Sequence, residues 1–266
     1  MLWEDILTVS NQQHMDAKQV LREELQKTIL TALSHEGYFT SLVFQGGTAL
    51  RLFYGNPRFS EDIDFVIKQG ETPKDIKKSF PKIKQLITDT FPFLEKTILQ
   101  TQKDTTQLKR YILKTQGTQP SQQSRIHIEL ASIPSYENQP RILDFPPFHP
   151  AIQVETAQEI LADKITAVGC RTYLKGRDIW DIYYLITEKN LSIPWDLVKR
   201  KIADYSVSIK TYSKRLEEAE ENLTTNGISI LSFELKRFLP QPLYQQYENQ
   251  FSEIIQTALK YIKKEV

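Results

Sequence analysis

The stretch Phe44–Ile67, FQGGTALRLFYGNPRFSEDIDFVI, constrains this chain more than any other. The apolar run Ser41–Gln45 reads as a strand, and Gly46 and Gly47 turn the chain sharply. Thr48–Tyr54 then carries helix formers closed off by Gly55 and Pro57. A second strand is expected over Asp62–Ile67. Side chains alternate along a strand, so Asp62 and Asp64 project together while Ile63, Phe65 and Ile67 take the other face. Two carboxylates one pleat apart repel unless one is protonated or a cation sits between them, and a divalent metal meets that need. Glycines let the backbone approach a phosphate, and a helix N-terminus presents free N–H groups to it. Each piece also has a plainer reading, Gly-Gly-Thr as an ordinary strand-to-helix turn and Asp-x-Asp as a solvated face. Assembled, they point to a phosphate and metal site. Asp62 and Asp64 bind Mg2+ or Mn2+, Gly46, Gly47, Thr48 and Ser60 contact phosphates or order the turn, and Arg58 is a phosphate partner.

On either side of this stretch the pattern changes twice. Asn11–Leu33 repeats apolar residues at helical spacing and reads as one amphipathic helix. Thr72–Thr90 reads as another, with Lys74, Lys77, Lys78, Lys82 and Lys84 on its outer sides, either a solvated face or a cationic patch for an RNA backbone. From Lys96 to Leu130 alternation takes over: KTILQTQK, LKRYILKTQ and RIHIEL read as successive strands. In the last, Arg125, His127 and Glu129 share a face, which makes Glu129 the candidate third acid of a two-metal site or simply an exposed strand acid. The Pro-rich Ser132–Pro150 reads as extended or looped and marks a boundary between residues 1–150 and 151–266.

Beyond it the chain reads as helical. Thr156 and Glu159 form a capping box, and Lys164 and Arg171 share a face of the helix that follows. In the next helix Asp178 and Asp181 project similarly, so ion pairs across a helical hairpin are one reading of these four residues. Further helices are expected over Trp195–Ile202, Ile209–Leu223, Ile228–Phe238 and Tyr244–Lys264, with Asn226-Gly227 and Pro240-Gln241-Pro242 as breaks. Tyr205, Tyr212, Tyr244 and Tyr247 with Lys210, Lys214 and Arg215 form either an RNA-holding surface or the cover of a helical bundle.

GGTALRLFYG followed by RFSEDIDF resembles the signature of the AbiEii-type nucleotidyltransferase toxins, within the polymerase-β-like superfamily. Downstream, E-x-L-x-x-K-x-x-A, then Arg, then R-D-x-x-D resembles that family's later motifs. The resemblance runs from Gln45 to about Leu185. It implies an α/β fold, a small mixed sheet flanked by helices with a helical C-terminal domain, and an active site in the cleft between them. It implies that Lys164 serves the nucleotide phosphates, with Arg171 and Asp181 beside it, and Asp178 the active centre. It implies further that Glu129 activates the attacking hydroxyl with help from a metal. The activity implied is transfer of a nucleoside monophosphate from an NTP to the 3′ end of tRNA. The setting is a type IV toxin–antitoxin system whose antitoxin, encoded nearby, need not bind the toxin. Some related toxins are phosphorylated in the site, where Ser60 or Thr48 would serve. Two rivals stand beside this reading: a transferase acting on a protein or small-molecule hydroxyl, and a non-enzymatic RNA- or partner-binding protein on the same scaffold.

Composition narrows the setting. The formal net charge of +1 gives no global field for nucleic acid, which leaves only local basic faces. A single cysteine, Cys170, precludes an intramolecular disulfide and suits a reducing compartment. No apolar run reaches membrane-spanning length and no signal-peptide pattern is present, so the expectation is cytoplasmic.

Overall fold

A computed structural model describes residues 1–72 and 74–262. The chain opens with two helices, α1 (Trp3–Gln13) and α2 (Ala17–His35), where the sequence suggests one. His14 takes a left-handed conformation at the end of α1, and the Asp16 side chain accepts a hydrogen bond from the Lys18 N–H to start α2. Between Val9 and Val20 only Met15 and Ala17 are apolar, so periodicity has too little to work with there to place the break.

A 3-10 turn over Tyr38–Thr40 leads into β1 (Leu42–Gln45), and α3 (Gly46–Tyr54) follows with no intervening loop. The paired glycines are therefore the first turn of the helix rather than a separate turn. Gly55, left-handed at φ 75°, ends it. Next comes β2 (Ile63–Lys68). Its alternation holds through Phe65 and then slips at a bulge, so Val66 is buried and Ile67 is not, contrary to strict period two. The helix expected from Thr72 is a 3-10 turn at Ile76–Ser79 followed by α4 (Phe80–Thr90), which has Pro81 in its first turn. Pro73 lies outside the described residues.

Three long strands follow, β3 (Leu94–Asp104), β4 (Leu108–Gly117) and β5 (Ser124–Ser135), in the three places where alternation appears. The proline-rich stretch is not wholly looped: β6 (Asn138–Ile142) and β7 (Ala151–Glu155) come from it and its border. The sheet order is β3-β4-β5-β2-β1-β7-β6. Pro140 is tolerated because β6 is an edge strand. The β1–β7 and β2–β5 pairs are parallel and the others antiparallel, so the sheet is mixed. Helix α2 packs on this sheet and against α1 and α4. It is buried along nearly its whole length.

The chain divides into two compact units, Met1–Gly55 with Phe59–Glu155, and Asn56–Arg58 with Thr156–Val266. The second is helical apart from the inserted segment 56–58. It contains α5 (Ala157–Cys170), α6 (Gly176–Thr187), α7 (Trp195–Asp204), α8 (Ile209–Phe238), α9 (Gln241–Glu248) and α10 (Phe251–Ile262). The Thr156 side chain accepts from the Glu159 N–H, as the capping pattern predicts. Asn226-Gly227 does not break α8, which is one 30-residue helix. Gly227 instead admits α10: a Cβ there would sit 2.7 Å from Ile255 Cδ1. Conversely, the single helix expected over Tyr244–Lys264 is two, α9 and α10, and its last residues, Lys263 and Lys264, lie outside the described residues.

The aromatic and basic surface proposed for this half does not exist as one surface. Tyr212 is fully buried with its hydroxyl donating to the Ile165 carbonyl at 3.0 Å. Tyr247 packs edge-on against Trp180, and Tyr244 meets Phe251. These rings cover the bundle.

Tyr212 also sets how closely α5 and α8 approach. A Cβ on Gly169 would lie 2.5 Å from two carbons of its ring, and the hydroxyl anchor keeps the ring from yielding. Gly169→Ala is therefore expected to cost about 1–3 kcal/mol, read as a lower urea midpoint with an unchanged slope.

Candidate active site

In the sheet unit, β1 and β2 pair antiparallel with Gln45 opposite Asp64, so α3 starts beside the Asp64 carboxylate. The approach is close enough to decide the residue. Gly46 has φ 81°, and a Cβ there would meet Asp64 Oδ2 at 2.7 Å. A side chain is excluded by backbone strain and by collision alike. The Thr48 hydroxyl, almost fully buried, donates to the Asp62 carbonyl and ties the first turn of the helix to the second acid. It orders the turn and is not open to a phosphate. Ser60 is half-buried, so of the two hydroxyls read as modification sites it is the more accessible.

On the neighbouring strand Glu129 lies in register with Asp64. Paired positions on adjacent strands share a face, so the two acids project to the same side. His127, two residues before Glu129, brings Nδ1 to 3.2 Å from Asp62 Oδ1 and places Asp62 on that side too. All three acids thus share one face of the sheet. Their carboxylates do not converge, because Arg110, opposite Glu129 on β4, brings Nε to 2.7 Å from Glu129 Oε1 as an ion pair. Among the described residues no group of three His, Cys, Asp or Glu side chains is gathered as a metal centre. Arg110 was missed in the sequence; the signal was its place on an alternating strand facing RIHIEL.

The donor set nevertheless suits a hard divalent cation. Asp62 and Asp64 offer only carboxylate oxygen, as Mg2+ and Mn2+ take. The space in front of Asp64 is kept open by the missing Cβ of Gly46. Glu129 would have to exchange Arg110 for the ion to join them.

The helical unit holds the remaining candidates in one buried charge cluster. Lys164 Nζ lies 2.8 Å from both Asp178 Oδ1 and Asp181 Oδ2, and Arg171 pairs with Asp178 Oδ2. Arg58, read from the sequence as a phosphate partner, is instead 1 % exposed and forks onto Asp181, Nε to Oδ1 at 2.9 Å and Nη2 to Oδ2 at 2.7 Å. A guanidinium so enclosed is a structural tie. Asn56 adds a third grip, donating to Asp181 at 2.9 Å and accepting from the Trp180 indole N–H at 3.1 Å.

Three cations surround two carboxylates, and the balance is visible in their titration. Burial works to raise the Asp178 carboxyl, but Lys164 and Arg171 beside it prevail and hold it well below the usual range. Asp181 is lowered in the same way, its burial outweighed by Arg58 and Lys164. Burial pushes the Lys164 ammonium down, yet Asp178 and Asp181 leave it raised, so it is a firm cation at neutral pH. Burial also pushes the Cys170 thiol up to about 11, which makes it a poor nucleophile.

Comparison with known proteins shows the family and the fold. The family model "Nucleotidyl transferase AbiEii toxin, Type IV TA system" matches residues 28–260. Among solved structures, JHP933 from Helicobacter pylori aligns with a TM-score of 0.59 at 19 % identity, over 94 % of this chain and 95 % of that one. Another H. pylori structure, assigned as a nucleotidyltransferase, aligns with a TM-score of 0.54 at 18 % identity, over 91 % and 95 %. At that identity these two establish the fold. No curated protein matches the chain.

Removing one member of the buried cluster strands its partners. Asp181→Ala should cost about 3–5 kcal/mol, since it leaves Arg58 buried and unpaired, measured by chemical denaturation. The pH dependence has a definite sign. A carboxylate lowered on folding stabilises above its unfolded pKa of about 3.9 and loses that contribution as pH falls through the lower folded value. The difference in unfolding free energy between wild type and Asp178→Asn should therefore hold steady from pH 7 to about 4 and shrink below.

Proposed function

Because the chain belongs to the AbiEii nucleotidyl transferase toxin family of type IV toxin–antitoxin systems, we propose that it transfers a nucleoside monophosphate from an NTP to the 3′ hydroxyl of tRNA. Pyrophosphate is released and translation is blocked. The observation that carries this reading is the contact of Gly46 with the Asp64 carboxylate, with Glu129 in register one strand away. It sets a helix N-terminus, suited to phosphate, directly against acids suited to a metal.

The reaction forms a bond from the acceptor oxygen to the α-phosphorus and breaks the bond from that phosphorus to the oxygen bridging to the β-phosphate. The electron pair leaves with pyrophosphate. Asp62 and Asp64 would hold Mg2+ or Mn2+, which when bound supplies Lewis-acid stabilisation of the phosphoryl charge. Glu129 takes the proton of the attacking hydroxyl at its carboxylate, and the Arg110 ion pair restrains that side chain on the sheet face. The N–H groups of Gly46 and Gly47 serve the phosphates, and the Thr48 hydroxyl holds the Asp62 backbone in place. Lys164 and Arg171 neutralise triphosphate charge, while Asp178 orients both cations and Asp181 shares in holding Lys164. The antitoxin that family membership implies acts on this activity; Ser60 is the residue whose phosphorylation would put like charge into the phosphate site.

Incubation of the purified protein with total tRNA, Mg2+ and each α-labelled NTP in turn tests the reaction. Label should enter tRNA from at least one NTP, fall to background in Asp64→Ala, and fall likewise when EDTA replaces the metal. Label entering the protein or a small molecule instead would transfer the reading to another acceptor. No transfer from any NTP by folded, toxic protein would refute it.

A further inference from the structure

A polar pocket of about 240 Å³ opens in the helical unit, where the segment after α5 meets the middle of α8. Arg171, Tyr173, Arg215, Glu218 and Asn222 line it. Arg215 is held there by a 3.0 Å hydrogen bond to the Cys170 carbonyl, and among the described residues no carboxylate pairs with it. The one acid of the lining, Glu218, leans instead towards Lys214, 3.7 Å away. Tyr173 is 63 % exposed, unusual for so large a ring, and Lys175 Nζ stands 5.7 Å from its centroid. The pocket thus combines a cation without a carboxylate partner, a largely exposed aromatic ring and the Asn222 amide.

Size and chemistry together narrow the occupant. The lining is mixed, with Arg171, Arg215 and Asn222 beside Leu174 and Ala219, which suits a ligand that has both a charged and a flat, less polar part. The pocket's volume lies below the roughly 300–1,000 Å³ typical of pockets for complete small molecules, which favours part of a nucleotide chain over a whole nucleoside triphosphate. One base with its phosphate fits both limits. Single-stranded nucleic acids are held by this combination, bases stacked on aromatic rings and phosphates on guanidinium groups. Arg171 joins the pocket to the charge cluster through its ion pair with Asp178.

We propose that this pocket binds one unpaired nucleotide of the RNA acceptor, with its phosphate on Arg215 and its base stacked on Tyr173. The identity of that RNA as an acceptor rests on the nucleotidyl-transfer reading; its binding here does not.

The test is fluorescence anisotropy with a labelled single-stranded RNA oligonucleotide and no NTP, on the full chain. Tyr173→Ala and Arg215→Gln should each weaken RNA binding about tenfold, while Tyr173→Phe and Arg215→Lys recover most of the loss. Arg215→Gln should also flatten the salt dependence of binding by about one phosphate contact. Affinity for a non-hydrolysable NTP, measured by calorimetry, should be unchanged in all four variants. Failure of the wild type to bind the RNA, unchanged RNA affinity in both disruptive variants, or an equal loss of NTP affinity would each overturn the proposal. RNA binding that is lost in the variants while the wild type transfers no label would uphold the pocket and reject the transferase reading. Label transfer with undiminished RNA binding in the variants would do the reverse.

Discussion

The contact of Gly46 with Asp64 is the constraint on which the sheet unit turns. It requires β1 and β2 to pair in one register, because a shift of a single residue would exchange Asp64 for a buried apolar side chain. That register in turn fixes where α3 begins, and Thr48 then binds the segment that carries Asp62. The parallel pairing of β2 with β5 extends the arrangement to Glu129. A backbone conformation open almost only to glycine thus governs the placement of three acids, of which Asp64 and Glu129 lie on different strands far apart in the chain.

The helical unit is governed by charge. Burying a carboxylate and an ammonium separately is costly, and the cluster around Asp178 and Asp181 offsets that cost by giving every charge at least one opposite neighbour within hydrogen-bonding distance. Such an arrangement does two things at once. It holds Lys164 ionised in a place where an isolated lysine would tend to lose its proton. It also fixes the direction of the ammonium, since two carboxylates at 2.8 Å leave little rotational freedom. Buried Lys201, paired with buried Glu159 and half-buried Asp163, applies the same rule elsewhere in the unit. The rule is therefore architectural, and the proposed chemistry draws on one instance of it.

Local grammar made much of this legible in advance. The strand and helix that meet at Gly46, the three alternating strands and the Thr156 cap follow from short-range rules, and the ion pairs of Lys164 and Arg171 with Asp178 were one of the readings that helical spacing allows. The failures share a cause. Gly227 and Pro140 are breakers by local rules, but one admits a neighbouring helix and the other sits on a sheet edge, and neither circumstance is written nearby in the chain. Arg58 lies among residues suited to phosphate, so its neighbours suggested that role, whereas its partner Asp181 is more than a hundred positions away. Arg110 is paired to Glu129 only through strand register. Long-range partners decide these side chains.

Asn56–Arg58 carries a consequence for anyone dissecting the chain. Its three residues sit inside the motif that builds the sheet unit, yet they are part of the helical unit and make their hydrogen bonds to Asp181 and Trp180. A gene fragment ending at residue 155 would keep Arg58 and delete every carboxylate that neutralises it. The boundary in space therefore has no counterpart as a cut in the DNA. The halves are interleaved modules, to be expressed, exchanged or recombined only together with that three-residue graft.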